Sequence, residues 1–256
     1  MDVNNTFLHG DLYEDVYMKP PHGYILSSND SSLFLKRNDQ SIIIVAVYVD
    51  DILVTGNDSD GIQQLKTYLD NRFKIKDLGQ IHFFLGLEFN STSDGMIAQQ
   101  QKFIKDLLSH YSIDDYSTVS FLLPYDIAIL FQTSNLLQDA TIYRQLIGKL
   151  NFLIHTRPDL AYTIQFLSQF NQRPCQEHLD AAIRVLRYLK GTINHGLFFN
   201  NDPIFKIEAF CDSDWAACPL TRRSVSGYFI LFGGAPISWK SKKQTTVSLS
   251  SAEAEY

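Results

Sequence analysis

Apolar residues along this chain alternate between two periods. From Ile42 to Tyr48 and again from Ile52 to Thr55 the residues are almost all apolar or β-branched, as in buried strands, and the two runs meet at Asp50-Asp51. That arrangement predicts a tight hairpin with the aspartates at its tip. From 58 to 73 the period becomes helical, with Ile62, Leu65, Leu69 and Phe73 at spacings of three and four and Asp58 or Ser59 placed as a cap. His82 to Phe89 reads as one strand, a hairpin follows through Asp94-Gly95, and Phe103, Ile104, Leu107 and Leu108 mark a further helix. Ser120 to Leu137 is apolar without a clean period. Residues 139 to 191 carry three helical stripes: Ile142 to Ile154, Leu160 to Leu167 and Leu179 to Leu189. Thr156-Arg157-Pro158-Asp159 and Gln172-Arg173-Pro174 punctuate them, because proline disfavours helix at the residue before it. Beyond Ile204 strands return over 205–211, 226–234 and 236–242, and Ser250 and Glu253 have the spacing of a capping box.

Composition narrows the class without deciding function. At 256 residues, 45% hydrophobic and 20% charged, the chain has material for one large or two small cores and is not a disordered sequence. Cys175, Cys211 and Cys218 are an odd number without CxxC spacing, which argues against a disulfide framework and suggests a reducing compartment or no selection on thiols. No run approaches the roughly 20 apolar residues of a membrane span, and the N-terminus lacks a signal pattern. The formal charge of −6 counts against strong non-specific binding of nucleic acid, which favours basic surface.

Two adjacent carboxylates admit two readings. Asp is common in solvated turns because it hydrogen-bonds its own backbone. Alternatively, neighbouring carboxylates repel unless a cation lies between them, and hard oxygen ligands of this kind suit Mg²⁺. Arg184, Arg187 and Lys190, at helical spacing, read as a solvated face or as phosphate contacts, and no site role is assigned to them.

Tyr48-Val49-Asp50-Asp51 after an aliphatic strand resembles the YVDD hairpin of reverse transcriptases, specifically those of copia-type LTR retrotransposon Pol polyproteins. The likeness runs almost end to end: Met1 to Leu12 resembles the segment carrying the first polymerase aspartate, and Asp212-Ser213-Asp214-Trp215-Ala216, Thr221 to Tyr228, Ile237 to Gln244 and Ser250 to Tyr256 resemble a copia-type ribonuclease H. The resemblance implies an α+β fold: a partial reverse transcriptase palm (1–120) built of antiparallel sheet and helices, a helical connection (121–203), and truncated ribonuclease H-like strands (204–256). It implies Asp2, Asp50 and Asp51 as polymerase metal ligands, Asp212 and Glu255 as ribonuclease H ligands, and Asp214 and Glu253 as lower-ranked neighbours. The implied cofactor is Mg²⁺, with Mn²⁺ as a substitute. Primer-template and dNTPs are the implied partners, no membrane is involved, and the location is intracellular, in cytoplasm or nucleus. The implied mechanism is two-metal phosphoryl transfer.

The chain also departs from that pattern. After Tyr24-Ile25-Leu26 the text jumps toward the YVDD strand, so a segment carrying a nucleotide-contacting loop is expected to be missing. Asp2 stands at the second position, and the helix bearing Glu255 is cut in its first turn. Both sites are expected to be incomplete and the isolated chain catalytically compromised. Two alternatives stay open: residual Mg²⁺-dependent synthesis with a partner chain, and a nucleic-acid-binding module without catalysis.

Overall fold

The computed structural model describes residues 23–26, 32–124, 130, 135–201 and 204–256. Among them the chain is mixed α+β, with three antiparallel sheets and six α-helices. It divides into two compact units, residues 1–85 and 86–256.

The first unit contains the sheet β1 (Ile25–Leu26), β2 (Leu33–Arg37), β3 (Ile42–Tyr48) and β4 (Asp51–Gly56), in that order, followed by helix α1 (Ser59–Phe73). Alternation on β3 buries Ile43 and Val45, which join Phe34, Leu65, Leu69 and Ile75 in one core. The base of the β3–β4 hairpin is tied to α1 by three consecutive residues. A Cβ on Gly56 would stand 2.1 Å from the Ile42 carbonyl oxygen, so only glycine permits this approach of the strands. Asn57 Oδ1 accepts from Ile42 N–H at 2.7 Å, and Asp58 Oδ1 caps α1 by accepting from Gly61 N–H at 2.8 Å. The expected core face of α1 holds at Leu65 and Leu69, but Phe73 at its end is exposed. There the chain leaves the helix through Lys74 in the left-handed region.

His82 to Phe89 is not a single strand. It forms β5 (Phe83–Phe84) and β6 (Leu87–Ser91), separated by Leu85 (φ 51) and Gly86 (φ 81) in the left-handed region. Helical or extended backbone cannot continue through two such residues.

In the second unit β6 pairs with β7 (Gly95–Gln99), and β7 pairs with β8 (Leu197–Asn200). β8 falls inside the stretch expected as helical connection. Between these strands lie α2 (Gln101–His110), α3 (Thr141–Leu153), a 3-10 turn at Pro158–Leu160, α4 (Ala161–Ser168) and α5 (Gln176–Gly191). Ile104, Tyr143, Leu146, Leu150, Leu153, Leu167 and Leu186 fuse the helices into one core, as the stripes predicted, although Ile142 faces solvent. The last sheet, β9 (Ile207–Asp214), β10 (Val225–Phe232) and β11 (Ala235–Lys243), has β9 and β11 on its edges. Trp239 Nε1 donates to the Ile154 carbonyl at 3.0 Å and Lys243 Nζ to Gln169 Oε1 at 2.9 Å, joining β11 to the helices. A short helix α6 (Ser251–Ala254) follows.

Candidate functional site

The expected hairpin is present in the tightest form a hairpin takes. Tyr48 pairs with Asp51, so the turn consists of Val49 and Asp50 alone. Val49 has φ 48, and a β-branched residue there is a genuine outlier because its side chain crowds the backbone. Such strain persists only where surrounding structure enforces it and concentrates at functional sites. Here the enforcing elements are the paired strands and the Gly56-Asn57-Asp58 anchor at the opposite end. Asp50 in the turn and Asp51 at the start of β4 are both half-buried, while Tyr48 and Val49 are exposed. Among the described residues neither carboxylate has a hydrogen-bond or ion-pair partner. Asp2, expected beside them, lies outside the described residues.

The two members of the second expected pair border one pocket. Asp212 on β9 and Glu255, just after α6, line one pocket of about 350 Å³ with Ser226, Tyr228, Lys240 and Lys242. Ser250 Oγ accepts from Glu253 N–H at 3.2 Å, and Glu253 Oε2 accepts from Leu249 N–H at 2.7 Å. Glu253 is therefore a capping residue, as its spacing predicted, and this capping sets the helical turn that carries Glu255. Strand alternation puts Asp212 and Asp214 on the same side of β9, opposite Cys211 and Ser213. Asp214 is felt at Tyr162 of α4, whose hydroxyl is raised first by burial and then by that negative charge. Asp212 thus borders the pocket from the helix-facing side of an edge strand. Among the described residues no three His, Cys, Asp or Glu side chains converge as a metal site.

Other polar clusters are structural. Arg157, 1% exposed at its side chain, makes a bidentate pair with Asp159 (Nε–Oδ1 2.9 Å, Nη2–Oδ2 2.7 Å) and donates to Thr192 O and Oγ1. Burial pushes the Asp159 carboxyl up, but the Arg157 hydrogen bonds and charge, with the Tyr188 hydroxyl, leave it below the ordinary value. Cys175 Sγ lies 3.1 Å from His178 Nδ1, a spacing that invites comparison with a catalytic pair. Both are fully buried, however, and burial raises the thiol and lowers the imidazole. His178 Nε2 meets the Leu130 carbonyl at 2.6 Å, and Nδ1 accepts from Cys175 N–H at 3.0 Å, so the histidine caps α5. Arg184 and Arg187 donate to the carbonyls of Phe121 and Ser117, and Lys190 to those of Asp114 and Tyr116. These three cations hold the 114–121 loop on α5.

The model of the reverse transcriptase (RNA-dependent DNA polymerase) family matches residues 27–124, which include the hairpin. The retrovirus-related Pol polyprotein from transposon RE1 of Arabidopsis thaliana is 36% identical over the whole chain, which covers 20% of that relative. The corresponding polyprotein from transposon TNT 1-94 of Nicotiana tabacum is 31% identical, again over the whole chain and 23% of its own length. An uncharacterized mitochondrial protein of Arabidopsis thaliana, AtMg00810, is 39% identical over 82% of this chain and 87% of its own length. The chain spans about a fifth of the Pol polyproteins it matches. The RE1 alignment runs over 295 positions against 256 residues here, so at least 39 of them have no counterpart in this chain. No solved structure matches.

Proposed function

Since the chain belongs to the reverse transcriptase family of copia-type retrotransposon Pol polyproteins, we propose that its β3–β4 hairpin is the metal-carrying hairpin of an RNA-directed DNA polymerase palm. Asp50 and Asp51 would be ligands to a divalent cation, with Asp2 as the third carboxylate. The observation that carries this reading is the tip itself: a two-residue turn strained at Val49, holding two half-buried carboxylates with no partner among the described residues. A merely solvated turn would relax onto Gly or Asn at the left-handed position. The donor set fits Mg²⁺ or Mn²⁺, since both ligands are hard oxygens and such ions retain water and phosphate in the rest of their shell. Bound there, divalent ions would favour attack by a primer 3′-hydroxyl on a nucleoside triphosphate and stabilise the leaving oxygen. The protein's own part is to hold Asp50 and Asp51 at a rigid tip, and the glycine-pinned base of the hairpin serves that end.

By the same reading residues 1–120 are palm, 121–203 connection and 204–256 part of a ribonuclease H domain, where Asp212 and Glu255 face the RNA strand of a hybrid. The 39 or more unmatched positions support the further proposal that this chain, by itself, does not extend a primer. Positioning errors of about 1 Å cost on the order of a hundredfold in rate, and a missing substrate-contacting segment costs more.

The test is Mn²⁺ titration followed by electron paramagnetic resonance, comparing the chain with an Asp50→Asn, Asp51→Asn variant. The chain is expected to bind and the variant to lose that binding; equal binding in both would refute the metal hairpin. Primer extension on an RNA template is expected to be absent from both, and extension that disappears in the variant would overturn the proposed inactivity.

A further inference from the structure

The 215–224 loop between β9 and β10 is fixed by its own hydrogen bonds. It turns through two left-handed residues, Ala216 (φ 52) and Arg222 (φ 54). Cys218 N–H donates to the Arg223 carbonyl at 3.1 Å and Arg222 N–H to the Cys218 carbonyl at 2.8 Å, while Ala216 N–H donates to Oγ of the fully buried Ser224 at 3.1 Å. This backbone holds the Cys218 side chain in place, with the residue 5% exposed. Its Sγ stands 3.7 Å from Nζ of Lys243 at the end of β11, and the same ammonium donates to Gln169 Oε1, just after α4, at 2.9 Å.

The surroundings of Cys218 favour the thiolate. Burial pushes the thiol up, but the Thr221 hydroxyl, the N–H groups of Thr221 and Leu220 and the Lys243 charge together leave it below its ordinary value. The thiolate is the form that attacks oxidants, and an opening this small favours a molecule of peroxide's size over a bulky thiol partner. Cys211 does not compete as a partner. Strand pairing sets it in register with Tyr228 and Lys240, on the side of the sheet opposite Lys243.

We infer that Cys218 and Lys243 are a peroxide-responsive pair that closes into a covalent sulfur–nitrogen bridge. The thiolate sulfur attacks one oxygen of hydrogen peroxide and the O–O bond breaks, giving a sulfenic acid and hydroxide; sulfur loses two electrons and the peroxide gains them. The hydroxide takes one proton from the Lys243 ammonium and becomes water. The freed amine, on a flexible four-carbon stem, then attacks the same sulfur. As the S–N bond forms the S–O bond breaks, and the departing oxygen takes a second proton from nitrogen and leaves as water. One peroxide is consumed, two waters form, and both charges of the pair disappear. Lys243 thereby ceases to be an ammonium donor to Gln169, so a tie between β11 and the helices is exchanged for one between β11 and the 215–224 loop. Two external thiols reverse the bridge, leaving as a disulfide while sulfur and nitrogen regain their hydrogens.

The experiment treats the full chain with hydrogen peroxide, blocks remaining thiols with N-ethylmaleimide and maps peptides by mass spectrometry before and after dithiothreitol. Chymotrypsin cuts after Trp215, Leu220, Trp239 and Leu249, so Cys218 and Lys243 fall in separate peptides and Cys211 in neither. The expected product joins those two peptides with the loss of two hydrogens, fragments to Cys218 and Lys243, and separates on reduction. In urea that unfolds the chain the product should be lost, because only the fold brings the two groups together. Lys243→Arg keeps a positive charge beside the thiol but supplies no free amine: a dimedone adduct on Cys218 should persist and the bridge should vanish. Lys242→Arg, on the other side of β11, should leave the yield unchanged. A bridge to Lys240 or Lys242, a bridge formed equally in urea or by Lys243→Arg, or Cys218 recovered only as free thiol or sulfinic acid would each overturn the pair. The parent chain's own peptide map is decisive, so an unstable variant does not rescue the proposal.

Discussion

Asp159→Asn keeps the shape of the side chain that faces Arg157 and removes only its charge. The guanidinium is 1% exposed and cannot shed its proton. It would keep its bonds to Thr192 O (3.0 Å) and Oγ1 (2.8 Å) and its place 5.6 Å from the Tyr188 ring centroid. It would lose the charge that compensates it at 2.7 and 2.9 Å. Breaking a buried pair by removing one partner costs about 3–5 kcal/mol. Because Asp159 is 35% exposed, solvent already screens part of the attraction, and about 2–4 kcal/mol is expected. Trp215 and Trp239 both lie in the second unit with this pair, so tryptophan fluorescence during urea unfolding reports the relevant cooperative unit. With a slope of about 2 kcal/mol/M, the midpoint should fall by about 1–2 M. The pH dependence has a defined sign. The folded carboxyl is held below its ordinary value, so its contribution is complete above an unfolded value of about 4 and is lost as pH falls through the folded one. The gap between parent and variant should therefore be constant near neutrality and close in acid, where parent Asp159 is itself neutral. Adding Arg157→Met to the variant should recover part of the loss, since the unpaired buried charge is then gone. A gap below about 0.5 kcal/mol at pH 7, or one unchanged at pH 3, would show that solvent, not Asp159, compensates Arg157.

Three further outcomes are expected. Val49→Gly should be neutral to within about 0.5 kcal/mol, because relief of a left-handed β-branched residue offsets the entropy of glycine, whereas Val47→Gly, in extended and half-buried backbone, should cost about 2 kcal/mol; hydrogen exchange of the β3–β4 amides reads both, and equal effects would remove the strain argument. Gly56→Ala, whose Cβ would meet the Ile42 carbonyl oxygen at 2.1 Å, should accelerate exchange throughout that hairpin by more than about fivefold, corresponding to over ~1 kcal/mol. Tyr143→Phe should lower stability of the second unit by about 1–2 kcal/mol in urea unfolding, since the fully buried hydroxyl donates to the Leu167 carbonyl at 2.7 Å and the acceptor would be left without it.

What the sequence alone determined was local. The β3–β4 hairpin was legible because two β-branched runs separated by an acidic pair have one short-range solution. Helices α1, α2, α3 and α5 were legible because a 3.6-residue period marks a buried face whatever lies against it, and the Ser250–Glu253 cap because capping is complete within one turn. The candidate carboxylates at 50, 51, 212 and 255 were nameable from motif text. Tertiary structure decided the rest, because it depends on groups far apart in the chain. Periodicity within 197–200 carries no trace of the β7 edge to which it pairs about a hundred residues back. The interruption of His82–Phe89 depends on Leu85 accepting a left-handed conformation, which a leucine does not announce. Arg184, Arg187 and Lys190 read as a solvated face or as phosphate contacts, but the 114–121 loop supplies carbonyls for them to hold, whereas Lys240 and Lys242, equally basic, meet no partner among the described residues. A cation's side-chain chemistry is the same in every sequence, but only the packed fold decides whether its charge is already spoken for.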